Sequence, residues 1–288
     1  MAAYRFCRTD DIALLVDAVN RCWAPYHPDE PPMTPAAFKR SIRDLQVWCS
    51  SCMVAFAGSD PVGVLIGAKR PSGTLVHQIA VHPEHRRHGH GRHLLTSLGS
   101  KLAILGPPRM VAEIPEVLAP ACELFNASGY VQDAVLTDYV VEHDDAEARE
   151  VAGMPEDHDG RFVIPVTVDD LAANGLLGEV EPQMCWERSV ETLTARKGDI
   201  AGLAVASDER IEAYLLYVDG GEIVALRSFI EDGGARLKQL LAQLRARGMR
   251  SFTFPKVHPA EISRELLETL GFRAAGGHLR YAATARSA

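Results

Sequence analysis

Residues 82–93 read HPEHRRHGHGRH, five histidines, three arginines and two glycines in twelve positions of a chain whose formal net charge is -8. Imidazoles at this density suggest a metal centre, and guanidiniums suggest a bound anion. Arg86, Gly89 and Gly91 form R-x-x-G-x-G between the apolar run LVHQIAV and an amphipathic stretch beginning near Gly89. Glycine has no Cβ, so successive backbone N–H groups can close on an anion, and the free N–H groups of a helix start favour negative charge. The arginines add paired donors for phosphate oxygens. Glu84 is the one carboxylate in the cluster, and guanidiniums between the imidazoles repel a cation. The spacing therefore favours a pyrophosphate cradle, and no bound metal is expected.

Two other stretches carry chemistry. CSSC at 49–52 has metal or redox spacing, but no second cysteine pair exists to complete a four-ligand zinc site. With six cysteines scattered along 288 residues, free thiols are the expectation. NRCWAPYHPDEPPM is a long loop whose Trp23, Tyr26, Asp29 and Glu30 offer an aromatic and acidic wall to a cationic amine, or else form an ordinary solvated loop.

The elements that position these residues follow from periodicity. YRF starts a strand, Thr9 and Asp10 are cap candidates, and Ile12, Leu15, Val16 and Val19 have helical spacing. Thr34 caps a second helix with Pro35 at its first position. CMVAFAG, PVGVLIGAKR and TLVHQIAVHP read as a three-strand meander, followed by a Leu-rich helix from Gly91, the strand RMVAEI, the helix VLAPACELFNASGY and a strand near 135–141. The second half repeats three strands, helix, strand, helix, strand, and aligning Leu94 with Leu240 gives an offset of 146. Such a period indicates a duplicated domain. The expected division is a domain over 1–142, an acidic linker over 143–160 (HDDAEAREVAGMPEDHDG), and a second domain over 161–288.

Composition narrows the class. A chain 47% hydrophobic and 24% charged, with mean hydropathy near zero, is expected to be globular. A pI near 5.8 argues against a nucleic-acid coat, and no apolar run is long enough for a membrane helix. Charges interrupt the N-terminal residues where a signal peptide needs an apolar run, so the expected location is the cytoplasm, as monomer or homodimer.

IAVHPEHRRHGHGRHLL, preceded by PVGVLIG and followed by ELFNASGY, resembles the GNAT superfamily of acyl-CoA-dependent N-acetyltransferases over residues 1–142. The resemblance implies an α/β (strictly α+β) class: two tandem GNAT-like domains, each a mixed, mostly antiparallel twisted sheet flanked by helices. It implies acetyl-CoA as cofactor. The loop Arg86, Arg87, His88, Gly89, His90, Gly91 and Arg92 would hold its pyrophosphate, and the strand backbone at Ile79, Ala80 and Val81 its pantetheine and thioester carbonyl. The acceptor would be a primary amine on a small molecule or peptide, attacking directly in a ternary complex. His77 is the expected base, since the same strand in a member of the family carries a histidine that serves proton removal; Glu113, ending the next strand, is the alternative. The family's usual acid, a tyrosine, is replaced by Phe125, and its asparagine by Leu118.

In the second half the loop position reads SFIEDGGAR, where Glu231 and Asp232 put negative charge in place of the cradle. That half is expected to be a degenerate copy; PQMCWERSVETL, with Trp186, resembles an early helix of second domains in tandem bacterial members. A catalytically silent acyl-CoA-binding or scaffold protein is the alternative function that Phe125 leaves open.

Overall fold

The computed structural model describes residues 2–142, 162–177 and 184–285. The chain divides into two compact units, Met1–Ala134 with Leu279–Ala288, and Val135–His278. This differs from the division expected at 142 and 161. Residues 135–142 fall in the second unit and the C-terminal residues return to the first. A strand's backbone donors and acceptors need a partner edge, and nothing in a local composition shift states which edge a strand will join. The acidic linker expected at 143–160 lies outside the described residues.

The first unit follows the expected order: β1 (Ala2–Phe6), α1 (Ile12–Trp23), α2 (Pro35–Leu45), β2 (Met53–Ala57), β3 (Asp60–Arg70), β4 (Gly73–Val81), α3 (His90–Leu105), β5 (Arg109–Pro115) and α4 (Ala119–Ala127). Neighbouring strands run β1-β2-β3-β4-β5, then β12 (Arg273–Thr284), whose residues from Leu279 belong to this unit. Thr34 caps α2 as expected, accepting from the Ala37 N–H. At α1 the residue before the helix is Asp11, whose carboxylate instead bonds Arg5 and the Arg8 N–H, so neither Thr9 nor Asp10 caps it. The Leu-rich face of α3 packs Leu94, Leu95, Leu98 and Leu102 against Met53, Leu65, Val76, Phe125 and Tyr281. Each such side chain contributes about 1.5–3 kcal/mol by leaving water, which fixes the N-terminus of α3 at the end of β4.

The second unit repeats that order with β7 (Phe162–Pro165), α5 (Val168–Ala173), α6 (Val190–Ala195), β8 (Ile200–Ala206), β9 (Ile211–Val218), β10 (Glu222–Ser228), α7 (Ala235–Ala246), β11 (Ser251–Val257) and α8 (Arg264–Thr269). β6 (Val131–Glu142) pairs antiparallel with β11, Glu142 opposite Ser251. Trp186 is buried in a single 3-10 turn before α6 and not in the helix itself. Two irregularities recur in register. In β4 the pairing with β3 skips His77, and in β10 the pairing with β9 skips Val224, so each copy carries a bulge at the same point. Gly89 precedes α3 at φ 83° and Gly234 precedes α7 at φ 86°, a left-handed backbone that glycine adopts without strain. Among the described residues no helix is long and apolar enough to cross a membrane.

Candidate active site

The end of β4, the loop after it and the start of α3 open into a cavity of about 660 Å³ in the first unit. Its lining includes Ile79, Ala80 and Val81 from the strand, and Arg86, Arg87, Gly89, His90, Gly91 and Arg92 from the loop and helix start. Trp23, the last residue of α1, and Tyr26, in the loop after it, also line the cavity. Of the residues expected at the cofactor, His88 is the exception: it is exposed, its Nδ1 3.3 Å from the His85 carbonyl oxygen, and it does not line the cavity.

The glycines serve different purposes. A Cβ on Gly89 would meet nothing within 4 Å, so its requirement is the backbone turn alone. A Cβ on Gly91 would come within 2.9 Å of the Leu124 side chain, so this glycine lets α3 and α4 approach beside the cavity. A wall that the sequence pattern did not assign comes from Leu118, just before α4, and from Pro120, Ala121, Glu123, Leu124 and Ala127 of α4. Their three-residue spacing was the available signal. The pattern also left His27 and His85 unassigned, both in stretches it had singled out.

The arginines are spread outward. Arg86 lies 4.0 Å over the Tyr26 ring, Arg87 is 91% exposed with Glu123 at 4.0 Å, and Arg92 donates to the Ala127 carbonyl at 2.9 Å. Tyr26 donates to the Val81 carbonyl at 2.5 Å, and burial pushes its phenol up while Arg86 opposes that shift. Burial, reinforced by His85, His88 and His93, holds the His90 imidazole below its ordinary value. A cavity walled by guanidiniums has the wrong sign for a cation and the right one for a phosphate.

Asp29 and Glu30 do not line this cavity. Glu30 instead accepts from Trp23 Nε1 at 2.9 Å and sits 3.2 Å from His27 Nδ1, while His27 stacks on Trp23 with ring centroids 4.5 Å apart. The acid thus organises the loop, and the aromatic groups face inward. His77 and Glu113 also lie outside the lining, yet the strand register relates them. β4 and β5 pair in parallel at Thr74 with Met110 and Leu75 with Val111, and two residues further along each strand stand His77 and Glu113, both half-buried. The cysteines of CSSC are packing groups: Cys49 and Cys52 are buried free thiols, and burial pushes both up.

Residues 14–130 match the Acetyltransferase (GNAT) family. The first unit carries a GNAT acetyltransferase domain. The chain is an acyltransferase that carries the fold twice. A tandem GNAT protein from the clavulanic acid biosynthesis pathway, without acetyl-CoA, superposes over 100% of both chains at 17% identity with a TM-score of 0.66. A GCN5-related N-acetyltransferase from Sphaerobacter thermophilus gives 0.67 at 14% identity, over 99% of this chain and 96% of that one. One from Anabaena variabilis gives 0.64 at 11% identity, over 99% and 73%. No curated protein matches the chain. At these identities the solved structures speak to the fold alone.

In the second unit the corresponding helix start is capped by a carboxylate. Asp232 accepts from the Gly234 N–H at 2.9 Å and the Arg236 N–H at 3.0 Å at the start of α7, and is paired with Arg236 Nη1 at 2.6 Å. Although burial pulls the Asp232 carboxyl up, these bonds hold it below the ordinary carboxylate value. In the first unit the matching positions, Gly89 and Gly91, line the cavity. Phe125 is fully buried between Tyr130, edge-on at 5.0 Å, and Tyr281, stacked at 5.9 Å.

Proposed function

We propose that the first unit binds acetyl-CoA and moves its acetyl group to a primary amine of a small molecule or peptide, by direct attack in a ternary complex. The observation that carries this reading is the single cavity joining the end of β4 to the left-handed turn at Gly89 and the start of α3. The residues fit the cofactor. Open space at Gly89, the Leu124 side chain against Gly91, and N–H groups at the head of the sixteen-residue α3 make an anion cradle that larger side chains would fill.

In this reading Arg86, Arg87, His90 and Arg92, with the backbone of Gly89 and Gly91, hold the pyrophosphate. The backbone of β4 from Ile79 to Val81 holds the pantetheine. When bound, acetyl-CoA supplies a thioester whose thiolate, with a reference thiol pKa of about 8.5, can depart to be protonated by water. His77 takes the amine's proton at the bulge where β4 and β5 part, and Glu113 across the same gap is the alternative base. Trp23 and Tyr26 face the acceptor. The second unit is a structural copy that binds no cofactor.

Phe125 favours a second reading, a silent acyl-CoA-binding or scaffold protein, because its ring puts no hydroxyl at the usual acid position. Release of free thiol from acetyl-CoA across a panel of amines, beside calorimetric binding of the same cofactor, separates the two. Binding with amine-dependent thiol release supports the transferase; binding without it for every amine supports the scaffold.

A further inference from the structure

We infer that Tyr4, on the edge strand β1, is a positioning residue that holds His90 as a neutral donor to the cofactor's phosphate in the cavity. The proposal deepens the acetyl-CoA reading and rests on it. The Tyr4 hydroxyl lies 2.8 Å from His90 Nδ1, and the Tyr4 ring lies tilted by 34° against His93 with centroids 3.7 Å apart. His90 is the first residue of α3 and lines the cavity at 8% exposure.

Among the basic groups of the loop, His90 alone is buried. Arg86 rests on Tyr26, Arg87 extends into solvent and Arg92 is tied to the end of α4. The inner donor of the cradle is therefore an imidazole. The Tyr4 hydroxyl at His90 Nδ1 can donate to a ring nitrogen that carries a lone pair, and burial with the neighbouring imidazoles lowers the His90 pKa in the same direction, toward the neutral ring. A phosphate oxygen only accepts, so it requires hydrogen on the nitrogen that meets it. With Nδ1 engaged by Tyr4, that nitrogen is Nε2. A tyrosine hydroxyl can donate to the bare Nδ1, and doing so stabilises the Nε2–H tautomer. The ring of Tyr4 packs against the core of the first unit, so its position is set independently of the hydroxyl.

Tyr4→Phe keeps that packing and removes only the hydroxyl. Acetyl-CoA affinity, measured by calorimetry, should fall about fivefold, the scale of one lost hydrogen bond. In a His90→Ala background the same change should add nothing, because the hydroxyl acts through the imidazole. Affinity for S-acetylpantetheine, which has the thioester arm and no pyrophosphate, should be equal in wild type and Tyr4→Phe. Nitrogen-15 shifts of His90 should report the Nε2–H form in wild type and a mixture in Tyr4→Phe. An Nδ1–H form in the wild type, an unchanged affinity in Tyr4→Phe, or the same loss in the His90→Ala background would overturn the proposal. A wild-type chain that takes the Nε2–H form but does not bind acetyl-CoA would instead overturn the cofactor reading and the phosphate role with it.

Discussion

Gly89 and His77 stand for two kinds of residue in this site, one chosen for its backbone and one for its side chain. Gly89→Asp should abolish acetyl-CoA binding measured by calorimetry. It forces a side chain onto a backbone at φ 83° and places a carboxylate where the phosphate oxygens are proposed to lie. An unchanged affinity would remove the cradle from this loop. His77→Ala should leave that affinity nearly intact and lower turnover roughly 10²-fold or more, the scale of a lost general base. If His77→Ala turns over normally while Glu113→Gln does not, the base is Glu113. The cradle was legible because R-x-x-G-x-G states local chemistry in adjacent residues. The roles of Asp29 and Glu30 were less so, since a carboxylate in a loop reads alike whether it meets a substrate or, as Glu30 does, an indole N–H.

At the level of elements, the two halves have the same parts in the same order and differ in how one helix begins. α3 starts at the cavity, which Gly89, His90 and Gly91 line, and α7 starts with the Gly234 and Arg236 N–H groups capped by Asp232. The chain should therefore bind one acetyl-CoA, with calorimetric stoichiometry near one per chain, and Asp232→Ala should leave that number and affinity unchanged in the first unit. A stoichiometry of two in the wild type would mean that the second copy retains a working cradle. The strands and helices of the first half, and those of the second from β8 on, were readable from periods of two and 3.6 residues, whereas the short β7 and α5 were not. The bulges at His77 and Val224 were not placed residue by residue, because a single extra residue leaves the apolar pattern nearly unaltered while reversing which face the following side chains take.

The division of the whole chain is the feature least visible in the sequence, because pairing between strands far apart leaves no mark in either strand's own residues. The first unit needs the chain's last residues. Tyr281 is 2% exposed and stacked on Phe125, the Ala285 N–H donates to the Pro108 carbonyl, and Arg280 bonds Asp133 at 2.8 Å. Losing a buried aromatic side chain typically costs about 3–5 kcal/mol, a large part of the roughly 5–15 kcal/mol that holds a domain folded. A fragment of residues 1–142 should therefore fail to unfold cooperatively in a thermal melt followed by near-ultraviolet circular dichroism, although it contains every residue proposed to touch acetyl-CoA. Joining residues 279–288 to residue 134 through a flexible linker should restore a cooperative transition, because it rebuilds the unit the contacts define. In the full chain, Tyr281→Ala should lower the melting temperature more than Tyr281→Phe, which keeps the stacked ring and loses only the hydroxyl near Asn126. A 1–142 fragment that melts cooperatively at the temperature of the full chain would show that the C-terminal strand is dispensable to the first unit, and that the division at residue 142 is the physical one.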